Sequence, residues 1–135
     1  DIVTMAKGIG NGITVGAIAT KEEVAKCLVP GDHGTTYGGN PFVCAAVSKV
    51  FDIYEKDMIL THVQELTPYL EKKLDELVEK HECAAARRGM GFMQGIVIAG
   101  RPVGEIVKKL RIVPPLVITK ADIDEMAEIL DECLA

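Results

Sequence analysis

No block of lysine and arginine occurs anywhere in the 135 residues, and the formal net charge is −5. Nucleic acid and anionic membrane both require clustered positive charge, so neither is expected as a partner. No apolar run approaches the roughly eighteen residues that span a bilayer, and the start lacks the basic and apolar regions of a signal peptide. A soluble, cytoplasmic protein is the expectation. The four cysteines, Cys27, Cys44, Cys83 and Cys133, form no Cys-x-x-Cys, and no histidine stands at ligand spacing. Neither a metal site nor a disulfide framework is indicated, and buried free thiols are expected. The chain also lacks internal repeats and an initial methionine. Asp1 stands only a few residues from what reads as a site, so a piece of a longer polypeptide is expected.

What is present is a globular composition, 48% apolar, sufficient for one compact domain or parts of two. "DIVTM" is a β-type run that delivers Lys7 at its end, and "ITVGAIAT" after the glycine stretch is a second. Thr20 is expected to cap "KEEVAKCL" through a Thr-x-x-Glu box. The stretch from Pro30 to Pro41 is too rich in glycine, threonine and proline for regular structure. Asn40 followed by Pro41 has the order of a helix start, and "FVCAAVSKVFDIYEK" continues it. The first half of that helix is apolar nearly all round, which suggests burial inside a larger body.

From Ile59 the apolar residues Ile59, Val63, Leu66, Leu70, Leu74 and Leu77 recur in threes and fours, as in a long amphipathic helix. Thr67-Pro68 predicts a kink or two abutting helices. His62 and His81 are read as surface residues of this helix. The change of character near Met58 predicts a boundary, with residues 1–58 and 59–135 in different domains. "GFMQGIVIA" has strand character, "VGEIVKKL" reads as a short helix, and "RIVPPLVIT" is extended. Thr119 with Asp122 caps a final helix whose expected apolar face is Ile123, Met126, Ile129, Leu130 and Cys133. Between Leu110 and Arg111 a helical pattern meets an extended one with no turn residue, which points to a missing stretch.

Three features carry chemistry. Lys7, at the end of a strand and beside glycines, is placed to act as an amine nucleophile if its charged form is disfavoured, or is simply a surface lysine next to a turn. "HGTTYGG" offers hydroxyl and backbone donors to a phosphate, or is an ordinary glycine-rich loop. Arg111, opening "RIVPPLVI", presents a planar fork to a carboxylate, or makes a structural salt bridge. Arg87-Arg88 before Gly89 reads as a solvated turn.

The order "DIVTMAKGIGNG", "HGTTYGGNP", "GMGFMQGI", "RIVPPLVIT" resembles the C-terminal portion of the class III, pyridoxal-phosphate-dependent aminotransferases. It is most similar to the members that act on N-acetylornithine, with ornithine-specific members next. The resemblance implies an α/β fold, the C-terminal portion of a fold-type-I transferase. Residues 1–58 would end the large cofactor domain, and 59–135 would form a linking helix and small domain. It also implies transamination with 2-oxoglutarate in arginine biosynthesis, with pyridoxal 5'-phosphate as cofactor, in a homodimer. Lys7 corresponds to the family's Schiff-base lysine. Thr36 corresponds to the threonine that reaches the neighbouring subunit's cofactor phosphate, Thr35 to a substrate contact, and Arg111 to the arginine on the substrate α-carboxylate. Several family site residues lie N-terminal to Asp1, so the 135 residues alone are expected to be inactive. Ornithine or another ω-amine remains open as the donor. So does a non-catalytic reading, a truncated folding or interaction module.

Overall fold

A computed structural model describes residues 1–100 and 109–135, in two units, Asp1–Asp57 and Met58–Ala135. In the first, Ile2–Ala6 (β1) pairs antiparallel with Gly16–Thr20 (β2), from Ile2 opposite Thr20 to Ala6 opposite Gly16. The expected capping box at Thr20 does not form. Thr20 ends β2, and its hydroxyl donates to Asp1 O (3.1 Å), so Lys21 is the N-cap of the single turn Glu22–Ala25 (α1). Asn40-Pro41 does open a helix, Pro41–Lys56 (α2): the Asn40 side chain accepts from Val43 N at 3.0 Å, and Pro41 occupies a first-turn position where no donor is needed. No residue of α2 is buried, and Phe42 is 73% exposed.

The second unit begins at Met58, whose left-handed backbone (φ 50°) starts Ile59–Lys80 (α3). This is one helix, not two, and it runs through Pro68; Thr67 Oγ1 donates to Val63 O at 2.6 Å in the same turn. Ala84–Met90 (β3), Met93–Ile98 (β4) and Lys109–Ile112 (β5) form an antiparallel sheet in that order. Lys120–Leu134 (α4) follows, with the Thr119–Asp122 capping box in place. The core is mainly aliphatic: Leu66, Leu70, Leu74 and Leu77 of α3 meet Ile96, Ile112 and Ile123, with Phe92 as its buried aromatic. Burying leucine at spacings of four and three on one stripe is what makes α3 fold against the sheet.

Several expectations are corrected. Most of "VGEIVKKL" lies outside the described residues, but Lys109 and Leu110 belong to β5, which runs straight across Leu110–Arg111. No turn is needed at that junction. Arg87 and Arg88 are strand residues, because pairing with β4 overrides the local turn signal. On α4, Ile129 and Cys133 are exposed, and Leu134 packs on the core in their stead. Cys27 and Cys44 are exposed too, while Cys83 is partly buried, so the thiols are not core residues. His62 and His81 are not surface residues: His62 Nε2 donates to Ile118 O (2.9 Å), and His81 donates to Asp131 Oδ1 (2.6 Å).

Of three carboxylates on α4, Asp122 closes the helix's own cap while Asp124 and Asp131 tie the helix to α3 and to His81 after it, and the bonds of each hold its carboxyl below the ordinary carboxylate range. Thr119 lowers Asp122, Lys73 and then Tyr69 lower Asp124, and Lys80 and then His81 lower Asp131. A carboxyl whose folded-state pKa is depressed adds stability that is present above its unfolded pKa and lost as pH falls through the folded one. Stability should therefore be level above about pH 5 and decline below about pH 4, with α4 loosening first. Amide hydrogen exchange of α4 between pH 6 and pH 3 measures this, and unchanged protection across that range would contradict it.

Candidate active site

The end of β1 decides where Lys7 lies. The strand stops at Ala6, and Lys7 turns into the left-handed region (φ 53°) to open a 3-10 turn over Lys7–Ile9. Gly10 N–H donates back to Lys7 O (3.0 Å) and Ile13 N–H to Gly10 O (3.0 Å), so the segment is tied down by its own backbone. A positive φ at a long side chain is sparsely populated and concentrates at functional positions. Two glycines are required for packing or conformation here. A Cβ on Gly10 would lie 2.1 Å from Ile13 O, and Gly12 holds φ 102°. Gly8 is different: a Cβ there would meet nothing within 4 Å, so its absence leaves open space beside the lysine. Lys7 lines a shallow concavity with Ala6, Asn11, Ile13 and Thr14. Among the described residues its amine has no ion pair or hydrogen-bond partner, so nothing in the first unit neutralises or occupies it.

Thr35 and Thr36 sit in the exposed loop before α2 and do not line that concavity. The loop is ordered by its own side chains: Thr35 Oγ1 accepts from Gly38 N–H (3.3 Å), and Asn40 Nδ2 donates to Tyr37 O (2.8 Å). A Cβ on Gly38 would fall 2.2 Å from Thr35 Cγ2, so glycine allows this close turn. Thr35 thus uses a lone pair locally and keeps its O–H for an external acceptor.

Arg111 is an exposed residue of β5 in the second unit, opposite Gly95 of β4. Lys7, Thr35 and Thr36 belong to the first unit. The part of the second unit that sequence reasoning missed is a polar network. Arg87 Nε donates to Asp75 Oδ1 (2.7 Å), and Arg87 Nη1 to Glu71 Oε1 and Gln94 Oε1 (both 3.1 Å). The amide of Gln94 donates onward to Glu71 Oε1 (3.2 Å) and Gly91 O (2.7 Å). Gln94 is 2% exposed, and these bonds offset its burial. Bonding to Asp75, and then the charge of Glu71, keeps Arg87 firmly in its charged form. The available signal was Glu71 and Asp75 at a four-residue spacing on α3, one carboxylate above the other on the same face.

A family model described as Aminotransferase class-III matches residues 1–134. The chain is 39% identical over 150 residues to an acetylornithine aminotransferase of Caldanaerobacter subterraneus subsp. tengcongensis, covering all of this chain and 38% of that protein. It is 38% identical over 147 residues to an acetylornithine aminotransferase of Methanocaldococcus jannaschii, covering 98% of this chain and 37% of that one. Among solved structures, Plasmodium falciparum ornithine delta-aminotransferase superposes with a TM-score of 0.85 at 25% identity, over 99% of this chain and 39% of its own. The chain therefore spans less than two fifths of the length of these relatives. The 150-residue match to a chain of 135 also leaves at least 15 positions of the first relative without a counterpart here.

Proposed function

We propose a function from one premise, that this chain belongs to the class-III aminotransferases: the whole protein transfers an amino group between N-acetylornithine and 2-oxoglutarate, using pyridoxal 5'-phosphate. The observation that carries the donor is the 39% and 38% identity, over 98% or more of the chain, to two proteins bearing the acetylornithine aminotransferase name. The fold likeness to an ornithine delta-aminotransferase supports ornithine as the alternative donor.

The residues at the end of β1 suit the cofactor. Lys7 is exposed, has no ion-pair partner among the described residues, and stands beside open space at Gly8. When bound, pyridoxal phosphate supplies an electron sink for charge developing at the substrate Cα. The work left to this chain is to bind, orient and move protons. Lys7 would hold the cofactor through its amine and, once released, carry a proton away from the substrate Cα. A lysine suits that task because desolvation can make it a neutral base near physiological pH. Thr36 would donate its hydroxyl to the cofactor phosphate of the neighbouring subunit in a homodimer. Thr35, whose hydroxyl is oriented by Gly38 N–H, would donate to the substrate. Arg111 would clamp the α-carboxylate with its planar fork. Residues 1–58 would then close the large domain and 59–135 build the small one, in a cytoplasmic enzyme. No helix among the described residues is long and apolar enough to cross a membrane.

The test is chemical trapping. Borohydride reduction of the full-length protein with pyridoxal phosphate, followed by peptide mapping, should find the pyridoxyl group on Lys7. A label on any other lysine would overturn the assignment. Parallel assays with N-acetylornithine and ornithine decide the donor. The 135 residues alone should show no turnover.

A further inference from the structure

Lys7 is the only charged residue between Ile2 and Thr20, in a chain of which 26% is charged. The strand that pairs with β1 adds none, since Gly16–Thr20 reads GAIAT. The first charges met along the ribbon in either direction, Asp1 and Lys21, stand at its far end and neutralise each other at 2.6 Å. None of the residues lining the concavity of Lys7 is acidic, and α1 and α2 contribute no residue to it. A carboxylate beside Lys7 would favour its charged form and so spoil it as a base, and the ribbon supplies none.

What lines the concavity with the amine is polar and uncharged. Lys7 O accepts from Gly10 N–H (3.0 Å), Gly8 O from Asn11 N–H (3.2 Å) and Gly10 O from Ile13 N–H (3.0 Å), so the chain coils through three successive turns. That coil brings Asn11 and Thr14 back to the concavity, whose lining is otherwise alanine, glycine, isoleucine and valine. Among the described residues, neither the Asn11 amide nor the Thr14 hydroxyl has a hydrogen bond. Asn11 holds φ 45°, a left-handed backbone that asparagine and glycine both accept. Glycine would satisfy that conformation, as Gly12 does next to it, so the backbone does not require the amide. An amide oxygen and a hydroxyl oxygen can each accept from an amine without favouring its charged form as a carboxylate does.

We infer that Asn11 and Thr14 are positioning residues for Lys7: two neutral acceptors that fix the direction of its amine, while the charge-free ribbon around them lets it lose its proton. The inference rests on the reading of Lys7 as the amine that takes the proton from the substrate Cα, and adds the two groups that aim it. An amine on a flexible lysine stem otherwise swings, and misplacement by about 1 Å can cost about 100-fold in rate.

The full-length protein tests this in two measurements. Before cofactor is added, the pH midpoint of Lys7 acetylation by acetic anhydride, read by peptide mapping, follows the amine itself, with Lys21 as internal reference. Asn11→Asp puts a carboxylate where the amide stands and should raise the Lys7 midpoint by about one pH unit or more, leaving Lys21 unmoved. With pyridoxal phosphate bound, Asn11→Gly, which suits the left-handed backbone, and Thr14→Val, which keeps the shape, should each lower kcat about tenfold or more at a KM within about twofold. Thr14→Ser should restore most of the loss, and unchanged circular dichroism verifies that the variants fold. A Lys7 midpoint unmoved by Asn11→Asp, or kcat intact in Asn11→Gly or Thr14→Val, overturns the inference and leaves Lys7 standing if borohydride still places the pyridoxyl group on it. Equal losses in Thr14→Ser and Thr14→Val overturn the part given to the hydroxyl. A pyridoxyl group on another lysine of the unaltered protein overturns the reading of Lys7 as well.

Discussion

Leu74→Ala should destabilise the second unit by about 2–5 kcal/mol, the cost of lost transfer free energy plus the cavity left behind. Leu74 and Leu70 have no exposed surface, and they stand one turn apart on the stripe of α3 that meets Ile96 and Ile123. Against a typical total stability of about 5–15 kcal/mol, a loss of that size moves the urea midpoint far toward zero. The collapse needed to close the hole would have to come from α4 or the sheet. Both are held by polar bonds at set positions: Lys73 to Asp124 (2.8 Å) for the helix, and Arg87 to Asp75 (2.7 Å) for β3. Relaxation is thereby limited, which favours the upper part of the range. Ile129→Ala is the internal control, because Ile129 is 54% exposed and surface truncations usually fall within about 0.5 kcal/mol. Equal midpoint shifts in the two variants would mean that α3 does not carry the core.

Lys7→Arg should abolish both pyridoxyl labelling by borohydride and amino transfer in the full-length protein, with turnover down about 10⁴-fold or more. The substitution preserves positive charge and much of the length, so a merely electrostatic role would survive it. Arginine cannot deprotonate, however, and can neither form an amine linkage nor take a proton from carbon. The left-handed backbone at Lys7 is common to both residues, so Arg adds no new strain of its own. Lys21→Arg serves as comparison: Lys21 pairs with Asp1 at 2.6 Å on the exposed surface, and its replacement should leave activity intact. Retention of labelling in Lys7→Arg would remove Lys7 from the chemistry.

Much of the architecture could be read locally. Asn40-Pro41 and Thr119 with Asp122 carry their caps in a four-residue window, and the apolar stripe of α3 follows from a period of 3.6. The turn after β1 was legible for a related reason, since a lysine ahead of closely spaced glycines signals backbone that must bend and leave room. Errors arose where distant partners decide. Thr20 had the right spacing for a cap, yet its hydroxyl is drawn to Asp1 O, nineteen residues away. His81 follows a charged helical stretch, yet its ring is 9% exposed because Asp131 of α4 closes over it.

By itself the sequence determined the caps of α2 and α4 and the apolar stripe of α3, which depend on neighbours within a few turns, and the motif order that marks an aminotransferase. Only the tertiary structure decided the fates of two adjacent arginines. Arg87 is drawn into a carboxylate network, while Arg88 is left on the open face beside Arg111. The physical reason is strand register: successive side chains point to opposite faces, and which face is buried is set by pairing with β4 and by where α3 packs. A local window contains neither.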